Sequence, residues 1–204
     1  MRAFKLPSVI GRLARALGFA RSDGRTFLLR MLPKNGVGAE IGVHTGDFSH
    51  RILRIARPRE LHLIDPWQHE TSETYARAVY GGGARGGQVE MDARYQRVCT
   101  RFLPQIQRGR VRVHRGRSST VLRGFPDTYF DWVYIDGNHL YEFVKTDLEL
   151  CWAKVRPHGY ITGDDYGEGG WWQEGVVRAV DEFAGRARVQ VILKRNRQFV
   201  LQRV

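Results

Sequence analysis

Five short apolar runs constrain this chain more than any other feature: GAEIGV (38–43), ELHLID (60–65), RVRVHR (110–115), FDWVYID (130–136) and GYITGD (159–164). Each leads into a polar or glycine-bearing turn, and the intervals between them carry apolar residues at helical spacing. Alternation of this kind builds right-handed βαβ units around a mostly parallel sheet. Helices are predicted over 47–56, 90–102, 119–123, 141–154 and 173–184. Two more runs, RVQVILKR and RQFVLQRV, flank Asn196 and predict a C-terminal antiparallel hairpin. The expected fold is therefore α/β, with a doubly wound, mostly parallel seven-stranded sheet ending in that hairpin. A chain of 204 residues has room for one such core.

Charge and cysteine content narrow the setting. Lys and Arg outnumber Asp and Glu by 33 to 21, giving a formal charge of +12. The surplus is scattered arginine without a basic run, which gives no nucleic-acid footprint and makes an RNA or DNA partner the lesser expectation. Cys99 and Cys151 are far apart, as in a reducing, cytoplasmic protein without metal thiolates. No run of about 18 apolar residues is present to span a membrane. Residues 1–35 read as an N-terminal helical extension: Leu6, Val9, Ile10, Leu13, Ala16 and Leu17 fall on one helical face, with Lys5, Arg12 and Arg15 on others. Such a helix suits an active-site cover, a homodimer contact or peripheral attachment to a membrane. Residues 36–204 form the main domain.

The first strand runs into a glycine turn and a helix start, GAEIGVHTGDFS. Gly42 and Gly46 let backbone approach a ligand closely, while Asp47 or Ser49 can cap the helix that follows. The spacing is not the GxGxxG of a pyrophosphate-binding turn, which argues against a dehydrogenase. Asp65 closes the second strand, where a carboxylate beside the first crossover can hold both hydroxyls of a ribose. Glu40 lies inside the first strand and needs a partner, from a ligand or a backbone amide, to offset its burial.

A second constellation follows in FDWVYIDGNHLYEF and GYITGDDY. Asp136 ends the fourth strand, and Asp164 with Asp165 end the fifth, so a parallel sheet delivers all three carboxylates to one edge. Three oxygen donors suit a hard divalent cation such as Mg²⁺, whereas zinc would recruit His or Cys. His139, three residues past Asp136, stands at the same crevice as a general base for a hydroxyl.

The series GAEIGVHTGDFS, LHLIDPW and Gly116-Arg117-Ser118 resembles the class I S-adenosylmethionine (SAM)-dependent methyltransferases, which have a Rossmann-like sheet. The resemblance implies that Glu40, Gly42 and Gly46 lie at the methionine end of SAM, Asp65 at the ribose and Ser118 near the base. DGNH followed by a double aspartate resembles a bacterial group of metal-dependent O-methyltransferases acting on sugars and natural products. That likeness implies metal ligation by Asp136, Asp164 and Asp165, with Asp136 also bordering the cofactor, and base catalysis by His139. Catechol O-methyltransferases, more distant, place a lysine where His139 stands.

Residues 66–90 are too long for an ordinary strand-to-helix connection and read as a substrate lid. Trp67, His69, Tyr75 and Tyr80 could stack on a sugar or aromatic ring, and Arg77 and Arg85 could meet an anionic group. Trp171 and Trp172 would form the opposite wall. GGGARGG (81–87) is expected to be a mobile loop. The expected function is SAM- and metal-dependent O-methylation of a small-molecule or saccharide hydroxyl. An RNA-directed methyltransferase, motivated by the +12 charge, and a non-catalytic binding module are the rival expectations.

Overall fold

The computed structural model describes residues 24–78, 80 and 83–204. The amphipathic stretch before residue 24, with its dimer and membrane expectations, lies outside the described residues, as do Gly81 and Gly82 of the glycine-rich loop. Strands β1 (Val37–Ile41), β2 (Glu60–Asp65), β3 (Val111–Arg115), β4 (Phe130–Ile135), β5 (Val155–Tyr166), β6 (Val189–Arg195) and β7 (Arg197–Arg203) form one sheet in the order β3-β2-β1-β4-β5-β7-β6. The first five are parallel, and β7 inserts antiparallel between β5 and β6. This is the doubly wound sheet with a terminal hairpin that the sequence predicts.

Helices α1 (Gly24–Met31), α2 (Asp47–Ile55), α3 (Gly87–Arg101), α4 (Leu103–Gln107), α5 (Ser118–Val121), α6 (Tyr141–Lys154) and α7 (Gly175–Arg186) complete the described elements, with short 3₁₀ turns at Glu73–Tyr75 and Leu122–Gly124. Several boundaries differ from expectation, the helix expected over 173–184 running Gly175–Arg186 among them, and three of the differences have clear local reasons. The helix expected over 90–102 starts a turn earlier and breaks at Phe102, because Pro104 opens α4 and cannot donate back into the preceding turn. The helix expected over 119–123 tightens into a 3₁₀ turn after Val121. Strand β5 starts four residues before the expected 159: Val155 already pairs with Phe130, and a bulge follows before Tyr160 pairs with Trp132.

Both faces of the sheet are covered, so its central strands are buried throughout rather than in alternation; every residue of β1 and β4 is buried. Side-chain alternation still sorts the two cores. Trp132 and Tyr134 pack with Leu28, Phe48, Ile52 and Leu63 beneath α1 and α2. Val133 and Ile135 face the other way, with Val144, Leu148, Val180 and Phe199 beneath α6 and α7. Gly38 is required by this packing, since a Cβ there would overlap the fully buried indole of Trp132. Gly38→Ala is therefore expected to cost about 1–3 kcal/mol through overpacking. A urea-unfolding midpoint equal to wild type would contradict that packing.

Candidate active site

The C-terminal ends of β1, β2, β4 and β5 open into a cavity of about 780 Å³. It lies where strand order reverses on either side of β1 and β4, the usual ligand position in a doubly wound sheet. Its floor is the β1 turn. Gly42 has φ 87° and its α-carbon faces the carbonyl of Asp136, which a Cβ would overlap. Gly46 has φ 78° and stands at the N-cap of α2 without a side-chain cap. The capping expected of Asp47 or Ser49 is replaced by other contacts: Asp47 pairs with Arg101 at 2.6 Å and accepts from Thr45 Oγ1 at 2.7 Å. Ser49 donates to Glu40 Oε2 at 2.5 Å.

Asp65 holds this floor to the end of β2. One carboxylate oxygen accepts from the amides of Val43 and His44 at 2.8 and 3.0 Å, and the other from the amide of Trp67 at 2.7 Å. Burial raises its pKa, and the hydrogen bonds from these amides pull the other way. Asp65 borders the cavity, as a ribose ligand must, yet three backbone donors already claim its carboxylate. Glu40 also reaches the cavity while 1% exposed; burial pushes its pKa well up, opposed by the Ser49 hydroxyl that serves as its partner in place of an amide.

At the β4 and β5 ends the structure brings Asp136, His139 and Asp165 together, with one potential ligand atom from each within 4.8 Å of the others. His139 Nε2 lies 3.1 Å from Asp165 and 3.6 Å from Asp136. It is buried and has no hydrogen bond of good geometry, so the imidazole faces two carboxylates without being satisfied by either. Asp164 does not join this group. Alternation along β5 turns it away from the cavity, where it is 6% exposed, bonded by Gln198 and ion-paired with Arg25. Asp165 itself sits at φ 57°, a strained setting for a non-glycine residue, and its other contact is Arg197.

Arg25, from α1, was not singled out in the sequence. Its guanidinium lies in the cavity, bridges Asp136 at 3.2 Å to Asp164, and stands over the Phe48 ring at 5.3 Å. No periodicity could have announced it, because the contact spans more than a hundred residues. Asn138 was also passed over: it donates to the Tyr75 hydroxyl at 2.7 Å and caps the turn by accepting from the Leu140 amide at 3.0 Å.

The lid expectation divides. Tyr75, Arg77, Tyr80, Trp171 and Trp172 line the cavity, with the Trp172 ring 4.8 Å from that of His139 and Trp171 5.3 Å from Tyr75. Trp67 does not. It is fully buried, stacks near Tyr95 and donates its indole N–H to the His44 carbonyl at 2.9 Å, so it is core and not an acceptor wall. His69 and Arg85 also stay outside the lining, and His69 is tied through its amide to Gln88. Ser118, at the start of α5, does line the cavity and hydrogen-bonds Asp147 of α6.

A glycine-floored cavity at the switch point, with a carboxylate ending β2 and a sheet closed by a β6–β7 hairpin, defines the class of SAM-dependent methyltransferases. Residues 39–166 match the family model described as a methyltransferase domain, and the chain belongs to that family. No curated protein sequence matches it. Several solved structures share its fold. The O-methyltransferase TomG from Streptomyces achromogenes, involved in tomaymycin synthesis and solved with SAM, is 18% identical with a TM-score of 0.54, over 98% of this chain and 91% of that one. A Staphylococcus aureus protein provisionally assigned as a caffeoyl-CoA O-methyltransferase is 13% identical, TM-score 0.59, over 97% and 91%. A Clostridium thermocellum protein provisionally assigned as an rRNA methylase is 11% identical, TM-score 0.59, over 98% and 100%. Likeness at these identities establishes the fold, and the three acceptors differ, so the fold does not choose among them.

Asp147 offers a solution test of the interior of this site. Burial raises its carboxyl pKa from 3.8 to about 7, with the Ser118 hydrogen bond opposing. A carboxyl raised on folding contributes its full stability below the unfolded pKa and loses it as pH climbs to the folded one, here from about 4 to about 7. The loss is bounded by roughly 4 kcal/mol. Asp147→Asn cannot ionise, so its melting temperature should gain on wild type across that window and hold the gain above it. A difference that is flat from pH 4 to 8 would contradict the buried carboxyl.

Proposed function

We propose that the protein is a divalent-metal-dependent O-methyltransferase acting on a hydroxyl of a small molecule or sugar residue. The single observation that carries this reading is the Asp136, His139 and Asp165 group at the cavity end beneath Trp171 and Trp172. The two carboxylates offer oxygen donors within reach of one hard divalent cation, and an unsatisfied buried imidazole nitrogen stands beside them, free to take a proton. A bound cation would supply Lewis acidity, lowering the pKa of an acceptor hydroxyl. SAM supplies the methyl group by direct displacement, which needs no enzyme nucleophile.

The protein's own residues do the rest. Asp136 and Asp165 would hold the cation, and Asp164, the third ligand implied by resemblance, instead anchors Arg25 and Gln198. His139 Nε2 receives the acceptor's proton, with the two carboxylates balancing the imidazolium charge. Tyr75, Trp171 and Trp172 wall the acceptor in and exclude water. Arg25 competes with the metal for Asp136, since a guanidinium and a divalent cation cannot share that carboxylate without repulsion. The aromatic-walled cavity, bordered by more acids than arginines, favours a compact acceptor over an RNA strand, which would need an open basic track.

Asp136→Ala is expected to abolish methyl transfer while SAM binding persists; full turnover in excess EDTA, or unchanged turnover in this variant, would refute metal dependence. His139→Ala should lower the rate about 10²- to 10⁴-fold with metal affinity nearly intact. If calorimetry instead shows that this variant loses the metal, His139 is a ligand and not the base. Arg25→Ala should tighten Mg²⁺ or Mn²⁺ binding in the same assay, and weaker binding would remove Arg25 as a competitor. Labelled SAM offered with sugar, phenolic and RNA acceptors, with and without Mg²⁺, tests the acceptor class.

A further inference from the structure

Basic residues that are scattered in the sequence are gathered by the fold at one edge. Strands β1, β2 and β3 are parallel, so the connections entering them meet at the edge of the sheet opposite the cavity. Backbone hydrogen bonds tie these connections together. The Asn35 amide donates to the Arg57 carbonyl at 3.0 Å, the Arg59 amide to the Gly36 carbonyl at 3.0 Å, and the Leu61 amide to the Arg110 carbonyl at 2.9 Å. The connections carry Lys34, Arg57, Arg59, Arg108 and Arg110, and Arg54 joins them from the last turn of α2. Lys34 and Arg57 stand close enough that the guanidinium adds to burial in lowering the lysine pKa.

The acids nearby do not offset this charge. Glu60, Asp127 and Asp131 stand at the same edge, and each has a cation of its own: Arg112, Lys154 at 2.7 Å and Arg156 at 2.6 Å respectively. Helix ends account for part of the remainder. Lys34 donates to the Leu29 carbonyl at 3.1 Å, Arg57 to Arg54 at 3.3 Å and Arg110 to Leu53 at 3.5 Å, all in the final turns of α1 and α2. Each helix end carries about half a negative charge, so two of them leave most of the cationic surplus standing. Arg54, Arg59 and Arg108 are exposed, and their side chains make no hydrogen bond or ion pair among the described residues.

We propose that this edge is a docking surface for an anionic lipid bilayer, with Lys34, Arg54, Arg57, Arg59, Arg108 and Arg110 toward the headgroups and the cavity turned away from them. A plane of headgroups needs only charge from its partner, and it leaves the cavity mouth free for cofactor and acceptor. A nucleic acid fits less well. The three connections contain no aromatic side chain on which a base could stack, and a strand held here would lie at the opposite end of the sheet from the cavity. The exposed large apolar residues, Phe27 and Leu103 among them, also lie outside these connections, so the attraction is electrostatic and yields to salt.

The test is sedimentation of the full chain with vesicles of two parts phosphatidylcholine to one part phosphatidylglycerol, and with phosphatidylcholine alone. Wild type should partition onto the anionic vesicles at about 0.1 M salt, ignore the neutral ones, and be released as salt approaches about 1 M. Each basic residue near such a surface is worth about fivefold in partition, so Arg54→Gln, Arg59→Gln and Arg108→Gln combined should weaken it about a hundredfold. A second variant of the same net charge, Arg85→Gln with Arg97→Gln and Arg195→Gln, removes exposed arginines from other parts of the surface and should stay within about threefold of wild type. Wild type that ignores the anionic vesicles overturns the proposal. Undiminished partition in the first variant, or equal losses in the two, overturns it as well, because the contact would then lie elsewhere or depend on net charge alone. Anisotropy with labelled polyuridylate is the remaining arm: tighter binding to it than to the vesicles at equal salt, lost in the first variant, overturns the bilayer in favour of a nucleic acid.

Discussion

The carboxylate of Asp65 carries three backbone N–H groups from two different connections, the β1 turn at Val43 and His44 and the β2 exit at Trp67. The rest of the site is referred to that clamp. A turn containing Gly42 and Gly46 has little conformational preference of its own. Its amides would otherwise have to be satisfied by water or ligand, and the floor of the cavity would be set only when something bound. With Asp65 in place the floor is fixed by the protein's own groups, and the indole of Trp67, donating to the His44 carbonyl, ties down the same turn. Preorganisation of this sort lowers the ordering cost of binding a cofactor.

A second constraint is the handedness of alternation along β5. Adjacent acids in a strand cannot both face one crevice unless the backbone departs from the pleat. Asp164 keeps to the pleat and is committed to the core side, where Gln198 in turn accepts from the Tyr134 hydroxyl at 3.0 Å. Asp165 enters the crevice only by adopting φ 57°. The strain falls on the residue that meets His139, and the buried network around Asp164 is what holds it there.

This explains what could be read from the sequence and what could not. The strands, their order of use and the terminal hairpin were legible because apolar runs and turn residues are local signals, and α6 was legible to the residue for the same reason. Asp136, His139 and Asp165 were legible as a group because strand ends of a parallel sheet share an edge. Asp164 was grouped with them, since a dipeptide does not reveal which of its two side chains the backbone will turn. Trp67 was misread as an open aromatic because its partners, His44 and Tyr95, lie in other elements. Arg25 carried no signal, since it matters only through distant residues that the fold brings close; Asp147 did carry one, a carboxyl at helical spacing with Val144, Leu148 and Cys151 on the apolar face of α6, and it was passed over.

The net charge of +12 also acquires a different meaning once the carboxylates are located. Glu40, Asp47, Asp65, Glu70, Asp136, Glu142, Asp147 and Asp165 all border the cavity, against three arginines, Arg25, Arg77 and Arg117. The chain is basic and its cavity is acidic. A uniformly basic surface would draw polyanions to any face, but the field inside this cavity opposes an incoming phosphate backbone and favours cations. The sulfonium and ammonium groups of SAM are cations, as is the proposed metal. Three of these acids, Glu40, Asp65 and Asp147, have their pKa raised by burial, so the interior does not have to hold all eight charges at once. Charge can be taken up as a cationic ligand arrives, and this couples protonation inside the cavity to occupancy in a way that the arginine-rich exterior does not determine.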